Sequence, residues 1–189
     1  MTQFTIYTPE TAPGKSGEML DSALKKMGFL PNLYAMLAES DAALEAYFSL
    51  SSLVSKIGFS PAEQQLILLA ASVENACTYC VAAHSSGGRM AKLDKEVIEA
   101  VRTGQPIADA RLEALRRFTE ALVIKRGHAR PEMDAFLAAG FSKQNALEVV
   151  MCVSMKTLSN YSNHLMGIPL DAALSRMEWH GKTPAEQAG

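Results

Sequence analysis

The segment Glu74-Asn-Ala-Cys-Thr-Tyr-Cys-Val-Ala-Ala-His84 holds two of the chain's three cysteines three residues apart, with an imidazole four residues after the second. Two thiols at that spacing can close a disulfide, and a nearby histidine can help ionise one of them. A thiolate that attacks a peroxide O–O bond becomes a sulfenic acid, and a second thiol within reach condenses with it to a disulfide. On a helix starting at Cys77, a step of about 100° per residue puts Cys80 about 60° and His84 about 20° from Cys77, so all three share a face. A cysteine in the first turn also gains from the unpaired N–H groups and the positive end of the dipole.

Other chemistries fit less well. A CxxC is half of a zinc site, but Cys152 and His164 are far off in sequence as a fourth ligand. Covalent haem attachment needs histidine directly after the second cysteine, where this chain has Val81. A thioredoxin needs strands around the motif, and the flanks here read as helical. The plainest reading makes both cysteines packed core residues and His84 a hydrogen-bonded neighbour.

Among the residues around the motif, Glu74 is a candidate proton relay or a solvated helix end, and Glu63 is more simply a capping residue. Tyr79 reads as a half-buried packing aromatic. Cys152, inside the apolar run Val149-Val-Met-Cys-Val-Ser-Met155, reads as a small buried hydrophobe. His164, with Asn160 and Asn163 on the last long helix, is assigned a surface or locally bonded role ahead of one that faces the site or a subunit contact, and His128 and His180 have no partners to recommend them.

Helices must position these groups, because no period-2 strand pattern of any length is present. A first helix is expected from Ser16 to Met27, ended by Gly28, and a short one from Pro31-Asn32 to about Glu39. Asp41 caps the next, which stops before Gly58. Ser60-Pro-Ala-Glu63 is a capping box with proline at the first helical position, and the apolar run Leu66 to Val73 marks a buried helix. Asn75 caps the step to the motif helix near Cys77, whose end Gly87-Gly88 weakens. Further helices fit Asp94 to Arg102, Asp109 to Lys125, Pro131 to Ala139 and Ser142 to Met166. The organisation is thus a lead-in over 1–15, one helical domain over 16–172 and a tail over 173–189.

Composition excludes several classes. Hydrophobic residues at 48%, charged residues at 20% and a formal charge of −2 suit one soluble domain of 189 residues. Basic residues are scattered, so neither nucleic acid nor an anionic membrane is an expected partner. No apolar run is long enough to span a bilayer, and Met1 to Tyr7 lacks the pattern of a signal peptide. The expected location is the cytoplasm, where a CxxC leans toward redox catalysis rather than a structural disulfide.

The signature Cys77-Thr-Tyr-Cys80-Val-Ala-Ala-His84, behind the Ser60-Pro-Ala-Glu63 helix, resembles the alkylhydroperoxidase D (AhpD)-like branch of the carboxymuconolactone decarboxylase superfamily. Gly28-Phe-Leu-Pro-Asn-Leu-Tyr34, Asn160-Tyr-Ser-Asn-His164, Pro169 and Asp171 extend the likeness to its peroxidase-related members, over about 14–172. The resemblance implies an all-α AhpD-like fold with the CxxC at the start of a core helix, assembled as homo-oligomeric trimers or hexamers. It also implies a cofactor-free, metal-free peroxidase that reduces a hydroperoxide and is recycled by a dithiol or thioredoxin-like reductant. Cys80 then attacks the peroxide, Cys77 resolves, and His84 belongs to the proton relay. The template's relay glutamate falls on Gln65, which cannot ionise, and its histidine before the second cysteine falls on Tyr79. Either Glu74 or Glu63 substitutes, or the thiols are less activated and peroxide is not the main substrate. The rival readings are a lactone enzyme of the decarboxylase type using His84 as acid or base, and a non-enzymatic thiol sensor.

Overall fold

The computed structural model describes residues 4–181. Nine α-helices follow in chain order: α1 Ser16–Met27, α2 Asn32–Leu37, α3 Asp41–Val54, α4 Pro61–Glu74, α5 Thr78–Met90, α6 Lys95–Thr103, α7 Ala110–Ile124, α8 Arg130–Ala138 and α9 Lys143–Met166. A 3₁₀ turn over Ala172–Met177 closes the order, and no strand occurs among the described residues. The protein is all-α, as its periodicity predicts.

α4 is the axis of the packing. Its start is the expected capping box: Ser60 Oγ accepts from Glu63 N–H, and the Glu63 carboxylate accepts from Ser60 N–H, with Pro61 at the first helical position. Leu66 through Val73 are all buried, because α5, α6, α7 and α9 each pack on a different side of this helix. Burying each large aliphatic side chain there is worth about 1.5–3 kcal/mol. A helix covered on every side holds fixed whatever it presents to its neighbours, here Gln65 toward α5.

One expected cap changes hands, and one helix runs longer than expected. Ser40, not Asp41, caps α3, its Oγ accepting from Ala43 N–H. Asp41 instead reaches back to α1, where its carboxylate accepts from Lys15 N–H, Ser16 N–H and Ser16 Oγ. α5 continues past the glycines to Met90, and these glycines serve packing. A Cβ on Gly87 would lie 2.6 Å from Gln65 Oε1, and one on Gly88 3.3 Å from Ile98 Cδ1.

The segment after α9 returns over α5. Arg102 of α6 holds it through Nη1 to the Met177 carbonyl at 3.0 Å and Nη2 to the Glu178 carbonyl at 2.9 Å, and Trp179 Nε1 donates back to Arg102 O. No helix among the described residues is long and apolar enough to cross a membrane.

Candidate active site at the CxxC helix

The chain turns from α4 into α5 through Asn75 and Ala76, and Ala76 adopts a left-handed φ of 52°. That backbone state is unfavourable for a residue with a Cβ. It turns Cys77 back so that its N–H bonds Ser72 O at 3.0 Å. Cys77 therefore stands at the N-cap in extended conformation (φ −86°, ψ 94°), not inside the helix as the sequence suggests, and Cys80 lies in the first turn. Both sulfurs are reduced, and each residue is only 1% exposed.

The pair is asymmetric. The Cys77 thiol hydrogen-bonds to Cys80, and that bond is the largest cause of a Cys80 pKa lowered to about 6, with the Lys156 charge and the amide of Asn160 adding to it against the cost of burial. Cys77 is pushed the opposite way by the same bond, by burial and by the Cys80 charge. At neutral pH Cys80 is the thiolate and Cys77 the thiol.

α9 supplies the surrounding donors from its buried face, where Cys152, Met155, Lys156, Ser159, Asn160 and Asn163 line up. Asn163 Nδ2 lies 3.7 Å from Cys80 Sγ. Asn160 Oδ1 accepts from Asn75 Nδ2 at 2.9 Å, which turns its own buried Nδ2 to the Cys80 sulfur as the acceptor left to it. A donor left unmet out of water costs about 1–3 kcal/mol, so this amide favours the thiolate and any oxygen that arrives beside it.

His84, one helical turn beyond Cys80, is bridged on both ring nitrogens. Nε2 is 2.9 Å from Lys156 Nζ and Nδ1 is 3.0 Å from Gln65 Oε1. An ammonium can only donate, so Nε2 accepts, Nδ1 carries the proton, and the Gln65 carbonyl oxygen receives it. Burial, and after it the Lys156 charge, hold His84 well below its ordinary pKa, so the ring is neutral. Gln65, which cannot ionise, thus still fixes the tautomer.

Sequence reasoning and structure part ways at several residues. Cys77, Cys80 and His84 come together. Glu74 ends α4, and its charge bears on Glu120. Glu63 is taken up by its capping box and by an ion pair with Arg111. Tyr79 is buried, and its hydroxyl donates to Asp171 Oδ2 at 2.5 Å while accepting from Leu33 N–H at 3.4 Å. It ties the CxxC to α2 and to the C-terminal segment rather than serving the sulfurs. His164, His128 and His180 are exposed. Asn160 and Asn163 are buried at the site, the less favoured of the placements expected for that stretch, while His164 keeps the surface role.

Lys156 is the residue that sequence reasoning missed. Its signal was legible: a lone lysine among Cys152, Met155, Ser159 and Asn160 on the stripe of α9 that must face the core. No cluster of His, Cys, Asp and Glu among the described residues suits a metal ion. A cleft of about 650 Å³ lies between α1 and α3 with Tyr34 and Phe48 in its wall, and Tyr34 packs on buried Tyr47 at 5.6 Å between ring centroids. The Cys80 charge is one of the causes that raise the Tyr47 pKa, after burial and Tyr34.

Residues 41–121, which span α3 through most of α7, match the carboxymuconolactone decarboxylase family. Comparison with curated proteins gives no match. Solved structures match nearly the whole chain. An AhpD-core, peroxidase-related protein from Ralstonia eutropha JMP134 has a TM-score of 0.80 at 22% identity, over 95% of this chain and 97% of that one. A peroxidase-related protein from Silicibacter sp. TM1040 gives 0.76 at 17%, over 92% of each chain. The debrominase Bmp8 gives 0.78 at 17%, over 94% of this chain and 96% of its own. The chain thus carries a stretch similar to the carboxymuconolactone decarboxylase family over residues 41–121 and shares the fold of the AhpD-like structures over nearly its whole length.

Proposed function

We propose that the protein is a dithiol peroxidase that reduces alkyl hydroperoxides or hydrogen peroxide at Cys80, with Cys77 as the resolving thiol and His84 holding the proton network. One observation carries the reading: the two sulfurs at the start of α5 are poised oppositely, Cys80 as thiolate and Cys77 as thiol. Attack forms the Cys80 S–O bond and breaks O–O. Cys77 then displaces the sulfenic oxygen as water and closes the disulfide, and an external dithiol or thioredoxin-like protein restores both thiols. The cytoplasm supplies such reductants. Glu74 has no step to perform in this scheme.

The lactone-enzyme reading gains no support. Both ring nitrogens of His84 are engaged by protein groups, and a decarboxylation has no use for a dithiol. A thiol sensor would keep the disulfide but not turn over.

The likeness to a debrominase over 94% of the chain favours one second reading, reductive dehalogenation by the same pair. Its balance uses the same parts: the thiolate, the thiol proton and an aryl bromide give the disulfide, the arene and bromide.

A homo-oligomer is proposed on the outer face of α9, where Leu147, Val150, Tyr161 and Leu165 are exposed at 73%, 43%, 60% and 76%. Light scattering on the native protein tests this, and a monomer at micromolar concentration would refute it.

The function is tested by hydroperoxide consumption with dithiothreitol as reductant, comparing native protein with Cys77→Ser and Cys80→Ser. Loss in both variants is expected. Variants as fast as native would end the peroxidase reading, and bromide release from a bromopyrrole without peroxide turnover would install the second.

A further inference from the structure

Among the described residues the cation of this site has no carboxylate in an ion pair with it. Lys156 is 1% exposed, and none of the ion pairs among the described residues includes it. A buried ammonium without a counter-charge gives up its proton. The groups that bear on Lys156 are Cys80 and Cys77 through its charge and His84 through Nε2; around these stand Gln65 of α4 on His84, Tyr47 of α3 and Tyr79 beside Cys80, and Asn160 and Asn163 of α9 on the Cys80 sulfur. Asp171, the acid on the far side of Tyr79, is occupied by the Tyr79 hydroxyl and by Asn32 N–H. The anion left for Lys156 is the Cys80 thiolate, and oxidation removes it. A fixed ammonium would then be stranded in the disulfide state, unless its proton leaves with the product.

We propose that Lys156 is the catalytic acid of this site: it pairs with the Cys80 thiolate at rest and hands its proton to the leaving oxygen of the peroxide, with Asn160 Nδ2 as second donor to that oxygen. The inference rests on the peroxidase reading above.

The bookkeeping closes. Cys80 sulfur attacks the distal peroxide oxygen, S–O forms, O–O breaks, sulfur is oxidised and the alkoxide departs with the proton of Lys156 Nζ as an alcohol. Cys77 sulfur then attacks Cys80 sulfur, S–O breaks, and water leaves with the Cys77 proton. The disulfide state holds a neutral amine and no buried charge. When a dithiol returns two electrons and two protons, one proton restores the Cys77 thiol and the other recharges Lys156 as Cys80 re-emerges as thiolate. His84 Nε2, accepting from Nζ at 2.9 Å, keeps the amine aimed through the cycle.

The test separates charge from acidity. The thiolate is titrated by its absorbance near 240 nm, and single-turnover oxidation is followed with tert-butyl hydroperoxide, whose alkoxide needs a proton, and peracetic acid, whose carboxylate does not. In Lys156→Met the Cys80 midpoint rises by at least about one pH unit. Lys156→Arg keeps the charge but cannot release a proton, so it keeps the midpoint near native and guards against misreading a misfolded Lys156→Met. Compared at full thiolate, both variants lose about 10²- to 10³-fold with tert-butyl hydroperoxide and less than about tenfold with peracetic acid. An unmoved midpoint in a folded Lys156→Met, a Lys156→Arg as fast as native with tert-butyl hydroperoxide, or equal losses on both oxidants would overturn the proposal. If native protein reacts with neither peroxide while its midpoint still follows Lys156, the peroxidase reading is what has failed.

Discussion

Cys80 and Cys152 are both enclosed, at 1% and 0% exposure, yet their acidities diverge in opposite directions. Cys152 is raised to about 12, by burial first and the charge of Glu148 second, whereas Cys80 is lowered to about 6. Cys152 even sits one turn before Lys156 on the same helix. Burial is therefore common to both, but it decides only Cys152 and is outweighed at Cys80. What separates them is the set of donors: Cys80 has the Cys77 thiol, Lys156, Asn160 and Asn163, while Cys152 looks into an apolar core that contains only a like charge at a distance.

The comparison breaks most sharply in turnover. Cys80→Ser is expected to lower peroxide reduction by about 10³-fold or more, because the reacting atom itself is replaced, while Cys152→Ser stays within about twofold of native in the same assay. Comparable losses in both would mean that the donor set does not mark the reactive sulfur. Cys77→Ser should allow one oxidation and then stall at a Cys80 sulfenic acid, read by mass spectrometry with dimedone. The hydroxyl is a poorer proton donor to sulfur than the thiol it replaces, so the Cys80 midpoint should also rise.

Gln65→Glu sharpens the comparison from the other side. A carboxylate 3.0 Å from His84 Nδ1 favours the imidazolium, so the His84 pKa should climb by about 1–3 units, followed by the ring-proton chemical shifts. An unmoved His84 would mean that the amide and ring are not coupled. Loss of the Gln65 link to α5 would leave Gly87 open to alanine, since only that side chain stands 2.6 Å from its Cβ position.

The stability of the reduced protein gives a smaller and signed effect. Cys80 has a folded pKa of about 6 against an ordinary value near 8.5, so between about pH 6 and 8.5 the unfolded chain binds more protons and stability rises with pH. Cys77, raised by the same bond, keeps its proton in the folded state when the unfolded chain has lost it, so stability falls again above about pH 8.5. Urea unfolding of reduced protein should therefore show a maximum near the ordinary thiol pKa. Cys77→Ser should flatten both limbs, and a wild-type profile without the maximum would contradict the assignment. The smallest effect belongs to Cys152→Ala, about 1 kcal/mol from a lost sulfur contact and a small cavity, with the pH profile unchanged.

Helix boundaries were legible because local rules govern them. Gly28 in left-handed conformation, the Ser60 and Ser142 capping boxes and the Asp109 cap all act within four residues of the chain they terminate. The same locality explains the misplaced cap at Asp41: Ser40 was the competing neighbour, and the pull on Asp41 came from α1, 25 residues earlier. The site was legible only where it is local too. Cys77, Cys80 and His84 stand within eight residues, whereas Gln65, Lys156, Asn160 and Asn163 reach them from α4 and α9.

The sequence by itself determined that the chain is helical, that a CxxC opens one helix and that its histidine follows one turn later, because backbone hydrogen bonding and side-chain periodicity are short-range. Only the tertiary structure decided which thiol carries the charge. That depends first on how the turn at Ala76 sets the Cys77 thiol against Cys80, and then on an ammonium and two amides brought from 76 to 83 residues away into a buried space, where a residue that reads as one lysine among many becomes the counter-ion of the reactive sulfur.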